Sequence, residues 1–381
     1  MGTAPCVLVV CGTRPDAIKL APVVLQLKEQ PSVETVVVGT GQHREMLDQV
    51  LSVFSISLDE NYGVMQKRSD LARLTSAILE RLDDTLERRK PAVVVAQGDT
   101  TTTFVASLAA FYRRVPFAHV EAGLRTPTID RPFPEEFNRR ATSLLTTLYF
   151  APTQRAANNL RREGVNERNI LITGNTSIDA LRIALQRAPK PPHRKGRMLL
   201  VTTHRRENWG EPQRRIATAI RTLLQRFPDT YAVLPMHPNP IVRQVLQTEL
   251  EGGRASREPK RVELIEPPDY LGFAALMAQA HLILTDSGGV QEEAPSLGKP
   301  VLVLREETER PEGVDAGAAI LVGTEEERIV HEASRLLQND AAYHAVAQVR
   351  NPYGDGHAAE RIVAALIERF APPSPSGRGL G

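Results

Sequence analysis

HLILTDSGGVQEE, residues 281–293, is the stretch whose reading decides the fold. The apolar segment His281 to Leu284 has the character of a buried strand. It runs into a Ser-Gly-Gly turn, and the turn opens a helix. Glycine removes the side-chain obstacle there, so backbone N–H groups come close to a ligand. The helix start adds partial positive charge suited to phosphate. Glu293 stands almost two turns in, where a carboxylate can accept hydrogen bonds from a ribose diol. An ordinary glycine-rich strand-to-helix turn accounts for this segment taken alone. Several other charged turns of the chain occupy the same kind of place, and their company favours the ligand-binding reading.

Outward from that stretch, short β-branched runs alternate with longer amphipathic ones. The strands expected are Val7–Cys11, Thr35–Val38, Val93–Ala96, Pro116–Val120, Leu148–Phe150, Met198–Thr202, Tyr231–Leu234, Val262–Ile265, Leu282–Leu284 and Pro300–Leu304. The clearest helix runs from Ser69 to about Arg89, with Leu71, Leu74, Ile78, Leu79, Leu82 and Leu86 on one face. Strands alternating with helices indicate an α/β fold with parallel sheets covered on both faces. Such a sheet offers a crevice at the carboxyl ends of its strands.

The 381 residues are enough for two domains of ordinary size. Prolines and basic residues at 187–197, RAPKPPHRKGR, resist regular structure and read as a linker. The domain boundary is expected at or before it, near Gly174. That gives an N-terminal domain over 1–173, a C-terminal domain over 174–357, and a tail at 372–381, PPSPSGRGLG, too poor in apolar residues to order.

A net charge of +2 gives no electrostatic reason to expect nucleic acid or a membrane surface as partner. No apolar run is long enough to span a bilayer and no secretory signal is visible. Cys6 and Cys11, five apart in one strand, point to opposite faces and should not pair. A cytoplasmic location is the expectation. No CxxC or HExxH spacing occurs, so no metal site is expected. The Gly39-Thr40-Gly41 turn does not complete GxGxxG, so a dinucleotide site is not supported.

Five expected strands are followed directly by polar or charged groups: Arg14, Asp99, Glu121, His204 and Ser287. Each has a bland explanation as a helix cap or surface charge, Asp and Ser being good caps; all five acting only as caps is a weaker account. Arg14 and Lys19 both fall at the start of the first helix. Arginine grips phosphate with two hydrogen bonds and lysine acts as a point charge. Arg310 reads either as a phosphate or hydroxyl contact or as a surface ion pair. Asp99, Glu121 and Glu135 are the natural acid and base, because carboxylates held near one another have their pKa values pushed apart. Glu135 and Glu136 also suit the first turn of a helix after Pro134. His119, inside a strand, reads as a core histidine, while His237 follows a strand and lies within reach of a ligand.

In this order, GTRPDAIKLAP, TGQHREMLD, QGDTTTTF, HVEAGLRT, PEEFNRR, GNTSIDAL, HRREN, LTDSGGVQEEAPSLGKP, TERPEG and NPYGDG resemble the non-hydrolysing UDP-N-acetylglucosamine 2-epimerase family, from about residue 7 to residue 366. The resemblance implies two Rossmann-like domains facing a central cleft, as in GT-B glycosyltransferases, a C-terminal helix at 358–371 packed back on the first domain, and a homodimer. It implies Asp99, Glu121, Glu135 and His204 as catalytic residues. Arg14, Lys19, Phe273, Ser287, Gly288, Gly289, Glu293 and Arg310 would bind the substrate, with Phe273 on the uracil, the Ser287 turn on the diphosphate and Glu293 on the ribose. Bacterial members also bind a second UDP-N-acetylglucosamine as activator, here implicating Gln42, Glu45, Arg68, Arg205 or Arg206, and His237. Glu45 and Pro268 depart from the family pattern, where some members have glutamine.

The implied chemistry is interconversion of UDP-N-acetylglucosamine and UDP-N-acetylmannosamine through 2-acetamidoglucal and UDP, with no cofactor. A hydrolysing epimerase, an enzyme acting on a UDP-diacetamido uronic acid, a GT-B glycosyltransferase and an inactive sugar-nucleotide sensor are the competing readings. A sensor is disfavoured by the retained acids Asp99 and Glu121.

Overall fold

The computed structural model describes residues 4–41, 44–64, 70–189, 194–237, 239–251 and 261–371, the side chains at 44–46, 48–49, 241 and 251 excepted. It divides into two compact units. The first takes the chain up to Ile183 and again from Gly354; the second is Ala184–Tyr353.

The first unit is built on seven strands: β1 (Cys6–Cys11), β2 (Glu34–Gly39), β3 (Glu60–Asn61), β4 (Val93–Gln97), β5 (Phe117–Val120), β6 (Leu148–Ala151) and β7 (Ile170–Ile172). All pair in parallel, in the order β3-β2-β1-β4-β5-β6-β7. Between them run α1 (Arg14–Lys28), α2 (Arg44–Val53), α3 (Leu71–Arg89), α4 (Thr101–Tyr112), α5 (Glu135–Leu145), α6 (Gln154–Arg162) and α7 (Thr176–Arg187). The interior strands are buried on both faces, which is why they read as near-continuous apolar runs. Helix α3 starts one residue past its cap Asp70, which accepts the Arg73 N–H at 2.9 Å. Leu74, Ile78, Leu82 and Leu86 are buried beneath the helix, Leu79 packs at the edge of that cluster, and Leu71 is exposed. Ser69 lies outside the described residues.

The second unit holds β8 (Arg197–Thr202), β9 (Thr230–Pro235), β10 (Val262–Ile265), β11 (Leu282–Thr285), β12 (Val301–Val303) and β13 (Ala319–Leu321). These too are all parallel, in the order β10-β9-β8-β11-β12-β13. Its helices are α8 (Glu211–Arg226), α9 (Pro240–Glu251), α10 (Tyr270–Gln279), α11 (Gly288–Glu293), α12 (Pro311–Asp315), α13 (Glu326–Gln338) and α14 (Asp340–Ala347). Its core gathers Leu199, Val201, Ile216, Ile220, Leu223, Leu282, Leu284 and Ile329. In both sheets the strand order reverses once, at β1/β4 and at β8/β11, and a reversal of this kind opens a crevice beyond the carboxyl ends of the strands.

Ten strands fall where the sequence places them, within a residue or two. The three others, β3, β7 and β13, are short edge strands with half-exposed positions. They are only two or three residues long, and β3 (Glu-Asn) has no apolar residue at all. The sequence puts the domain boundary near Gly174, whereas the units divide within α7, after Ile183. The cause is Asp179. Its carboxylate accepts the N–H groups of Ala358 (3.2 Å) and Ala359 (2.9 Å), at the start of α15 (Ala358–Phe370). Arg182 donates to the Gly356 carbonyl at 2.7 Å. The first half of α7 is thereby joined to the helix that closes the first unit by packing on α1. The tail expected at 372–381 lies outside the described residues. Among the described residues no helix is long and apolar enough to cross a membrane. Both cysteines are free and buried.

The residue before α15, His357, supplies no side-chain cap, so Asp179 takes that role from a distance. Asp179→Ala leaves the first N–H groups of α15 without an acceptor and should loosen that helix by about 1–2 kcal/mol. Hydrogen exchange checks it: amides of Ile362, Val363 and Leu366 should exchange faster, while those of the second unit stay unchanged.

Candidate active site

The first crevice is lined by residues that directly follow β1, β4 and β5. After β1, Thr13 caps α1 in a reciprocal box with Asp16. Arg14, the first residue of that helix, is half-buried and makes no ion pair or hydrogen bond among the described residues. Asp16 is 3% exposed. Its carboxylate accepts the N–H of Gly12 at 3.3 Å, the N–H of Thr13 at 3.1 Å and the hydroxyl of Thr100 at 3.2 Å. Thr100 belongs to the turn after β4 and caps α4. A single buried carboxylate therefore ties together the two turns that flank the strand-order reversal.

After β5, Glu121 adopts φ 65°, a left-handed conformation that costs an L-residue on the order of 1–2 kcal/mol. The Glu121 carboxylate is held in place by two partners. The Lys19 ammonium donates to its two oxygens at 2.8 and 2.7 Å, and the Gln97 amide donates from the end of β4. Lys19, expected as a phosphate contact, is thus turned to a carboxylate. Asp99 is gripped by Arg139, whose Nε and Nη2 lie 2.8 and 2.7 Å from one oxygen, and the Asn138 amide donates to the Asp99 carbonyl at 2.8 Å. Arg139 also reaches the fully buried Glu136 at 3.2 Å. Glu135 opens α5 beside them, and its Oε2 is buried with no partner among the described residues. His119 is a core histidine: its Nε2 meets the Gly98 carbonyl at 2.7 Å, and burial pulls its pKa down to about 4, so it is neutral.

In the second unit the residues after β8 and β11 face each other across the reversal. Asp286, at 0% exposure, accepts the N–H groups of His204 and Arg205 and the Asn208 amide, each at 2.9 Å. It also holds His204 Nδ1 at 2.7 Å, which leaves Nε2 as the outward nitrogen. Burial raises the Asp286 pKa, but the hydrogen bond and charge of His204 and the two backbone N–H groups outweigh it and hold the carboxyl below its usual range. Ser287 is the N-cap of α11, accepting the Val290 N–H at 3.5 Å. A methyl group at Gly288 would come no closer than 3.8 Å to the Arg310 guanidinium, and one at Gly289 no closer than 3.9 Å to Ser287. Neither glycine is required by packing, so the space over the turn is open. Arg310 bonds through Nε to the buried Glu292, an ion pair beside the turn rather than on the outer surface. Glu293 is buried at the end of α11, and Phe273 is half-buried in the first turn of α10.

Of the residues implicated in activator binding, Arg205 has a buried Nε with no partner among the described residues, and Arg206 is exposed. The His237 ring lies 6.0 Å from that of Trp209, and burial followed by the charge of His204 lowers its pKa. Gln42, Arg68 and the side chain of Glu45 lie outside the described residues. Among the described residues no cluster of acidic, histidine or cysteine side chains is placed to hold a metal.

Asp16, Gln97, Arg139 and Asp286 were not singled out by sequence. Thr13-x-x-Asp16 carries a capping-box signature that marks the first, and Asp286 directly follows a strand. Gln97 likewise follows the expected strand Val93–Ala96 directly, while Arg139 carries no comparable signal.

Two doubly wound α/β units each place polar groups at the strand-order reversal, where sheets of this kind bind ligands. Residues 25–367 match the family model for UDP-N-acetylglucosamine 2-epimerase. The chain is 48% identical to the UDP-N-acetylglucosamine 2-epimerase of Bacillus subtilis, covering 96% of this chain and 95% of that one. The crystal structure of UDP-GlcNAc 2-epimerase from Neisseria meningitidis, bound to UDP-GlcNAc, has TM-score 0.86 and 45% identity, over 95% of this chain and 100% of that one. The glycotransferase of kitacinnamycin, at 14% identity and TM-score 0.66 over 97% and 100%, shares the fold alone. The chain belongs to the UDP-N-acetylglucosamine 2-epimerase family.

Burial pushes the Asp16 pKa up to about 6. Between its ordinary carboxylate value and about 6 the folded chain therefore binds a proton that the unfolded chain does not. The stability this proton confers is complete below the ordinary carboxylate value and is lost as pH rises through about 6. Asp16→Asn does not titrate, so the stability of the native chain relative to this variant should fall by roughly 1–3 kcal/mol from pH 4.5 to 7. Urea unfolding of both proteins at the two pH values measures it; a constant difference would show Asp16 ionised throughout.

Proposed function

We propose that this enzyme inverts carbon 2 of UDP-N-acetylglucosamine by eliminating and re-adding UDP. The supporting observation is the cluster at the ends of β4 and β5: Asp99 held by Arg139, Glu121 held by Lys19 and Gln97, and Glu135 with a buried, unpartnered oxygen. The hydrogen on carbon 2 is not next to a carbonyl, so direct removal is difficult. In the proposed step a carboxylate takes that proton while the bond from carbon 1 to UDP breaks. The C–H electron pair forms the C1=C2 double bond of 2-acetamidoglucal, and UDP leaves with the C–O electrons. UDP then adds back to carbon 1 as an acid delivers a proton to the opposite face of carbon 2. Asp99, Glu121 and Glu135 supply base and acid. No redox cofactor is needed.

Departing UDP gathers negative charge on its diphosphate. Arg14, Arg310, His204 Nε2 and the N–H groups over Gly288 and Gly289 suit that charge, Glu293 the ribose and Phe273 the uracil. Arg205, Arg206 and His237 suit a second UDP-N-acetylglucosamine as activator. Free buried cysteines fit a reducing, cytoplasmic setting. Phe111, Tyr112, Phe133, Phe137 and Leu144, all exposed on or near α4 and α5, fit the face of a homodimer.

Incubation with UDP-N-acetylglucosamine in deuterated water, followed by proton NMR, tests the reaction. Both epimers should appear with deuterium at carbon 2. Epimer formed without deuterium excludes the scheme, and free N-acetylmannosamine indicates hydrolysis instead. Asp99→Asn and Glu121→Gln should each lower kcat by about 10²–10⁴. Leu144→Glu with Phe137→Ser should shift the light-scattering mass from two chains to one; a mass unaffected by the pair would place the dimer face elsewhere.

A further inference from the structure

The segment Asn351-Pro352-Tyr353 ends the second unit, and nothing so far gives it a role. Its two polar side chains reach two separate pieces of the nucleotide site. The Tyr353 hydroxyl donates to the Arg310 carbonyl and accepts the Gly313 N–H, both at 2.9 Å, with the residue only 2% exposed. The Asn351 amide donates to the Glu292 carbonyl at 2.8 Å, and its oxygen accepts the Tyr353 N–H at 2.9 Å. A methyl at position 313 would stand 3.1 Å from the phenol oxygen, so glycine there admits the ring. On its other side Arg310 is held by Thr308: the Arg310 N–H donates to the threonine oxygen at 3.1 Å, and that hydroxyl donates to Gln291 on α11 at 2.7 Å. The Arg310 backbone is thus fixed at both its N–H and its C=O, with the guanidinium beside Gly288.

We infer that Tyr353 and Asn351 are positioning residues for the nucleoside diphosphate. They clamp the turn carrying Arg310 to the helix carrying Ser287–Glu293, so that guanidinium and backbone N–H groups meet the diphosphate together. This rests on the reading above, in which those groups hold UDP. Removing the hydroxyl takes away the hydrogen bonds it makes to the Arg310 carbonyl and the Gly313 N–H and so loosens the turn, while the ring still fills its place.

The test is calorimetric titration of the purified full-length enzyme with UDP, beside steady-state kinetics. Tyr353→Phe should weaken UDP by about 10-fold and raise KM similarly, with binding stoichiometry and kcat close to wild type. A purely structural role would instead lower stoichiometry and kcat together, leaving the affinity of the folded fraction unchanged, and that result overturns the inference. Tyr353→Phe combined with Arg310→Ala should bind no worse than Arg310→Ala alone, because Tyr353 acts through Arg310. Multiplying losses overturn it. Asn351→Ala, which spares the phenol, should show the same pattern and serves if Tyr353→Phe does not fold. If Arg310→Ala binds UDP like wild type, the nucleotide-site reading itself fails. If Arg310→Ala weakens UDP while Tyr353→Phe and Asn351→Ala do not, only the clamp fails.

Discussion

Two buried aspartates hold the loops of this molecule where its sheets reverse strand order. Asp16 joins the turns after β1 and β4, and Asp286 joins those after β8 and β11. A parallel sheet leaves its reversal open, because neighbouring connections there depart to opposite faces. Loops at such a place have little to pack against and carry unpaired N–H groups. A carboxylate that accepts several of those groups at once stiffens the opening without filling it. The two differ in balance: burial dominates at Asp16 and raises its pKa, whereas His204 and backbone donors dominate at Asp286 and lower it. One reversal can therefore change charge near neutral pH, while the other stays anionic and fixes the orientation of a histidine.

The rest of the candidate chemistry hangs from these fastenings. Glu121 sits in a backbone conformation that few residues adopt, and the Lys19 and Gln97 contacts hold its side chain there. Arg139 plays the same part for Asp99. In each case a cation that would otherwise attract phosphate is already committed to an acid. The cation at the start of α1 that no described residue engages is Arg14. The cations thus divide: Lys19 and Arg139 hold acids in place, while Arg14 has no partner among the described residues.

Much of this was legible in the sequence. Interior strands announced themselves because burial on both faces demands apolar runs, and the functional groups announced themselves by following those runs directly. Edge strands β3, β7 and β13 did not: each is only two or three residues long, too short to stand out from the adjoining loops. Partners were harder than positions. Arg139 and Asp99 lie 40 residues apart, and Asn208 and Asp286 lie 78 apart; local pattern has no means to pair them. The boundary expected near Gly174 differs from the division after Ile183 for the same reason. A loop signature marked 187–197, but the decisive contact, Asp179 with the start of α15, spans 179 and 180 residues.

That long-range contact makes the first unit discontinuous. Its final helix emerges from the ribosome only after roughly 170 further residues have been made, a delay on the order of 10–30 s at ordinary elongation rates. Throughout that interval the apolar flank of α1 that receives the helix has no cover. The nascent chain must carry an exposed sticky surface while a complete second unit folds downstream. Truncation anywhere within the second unit therefore leaves the first without its closing helix.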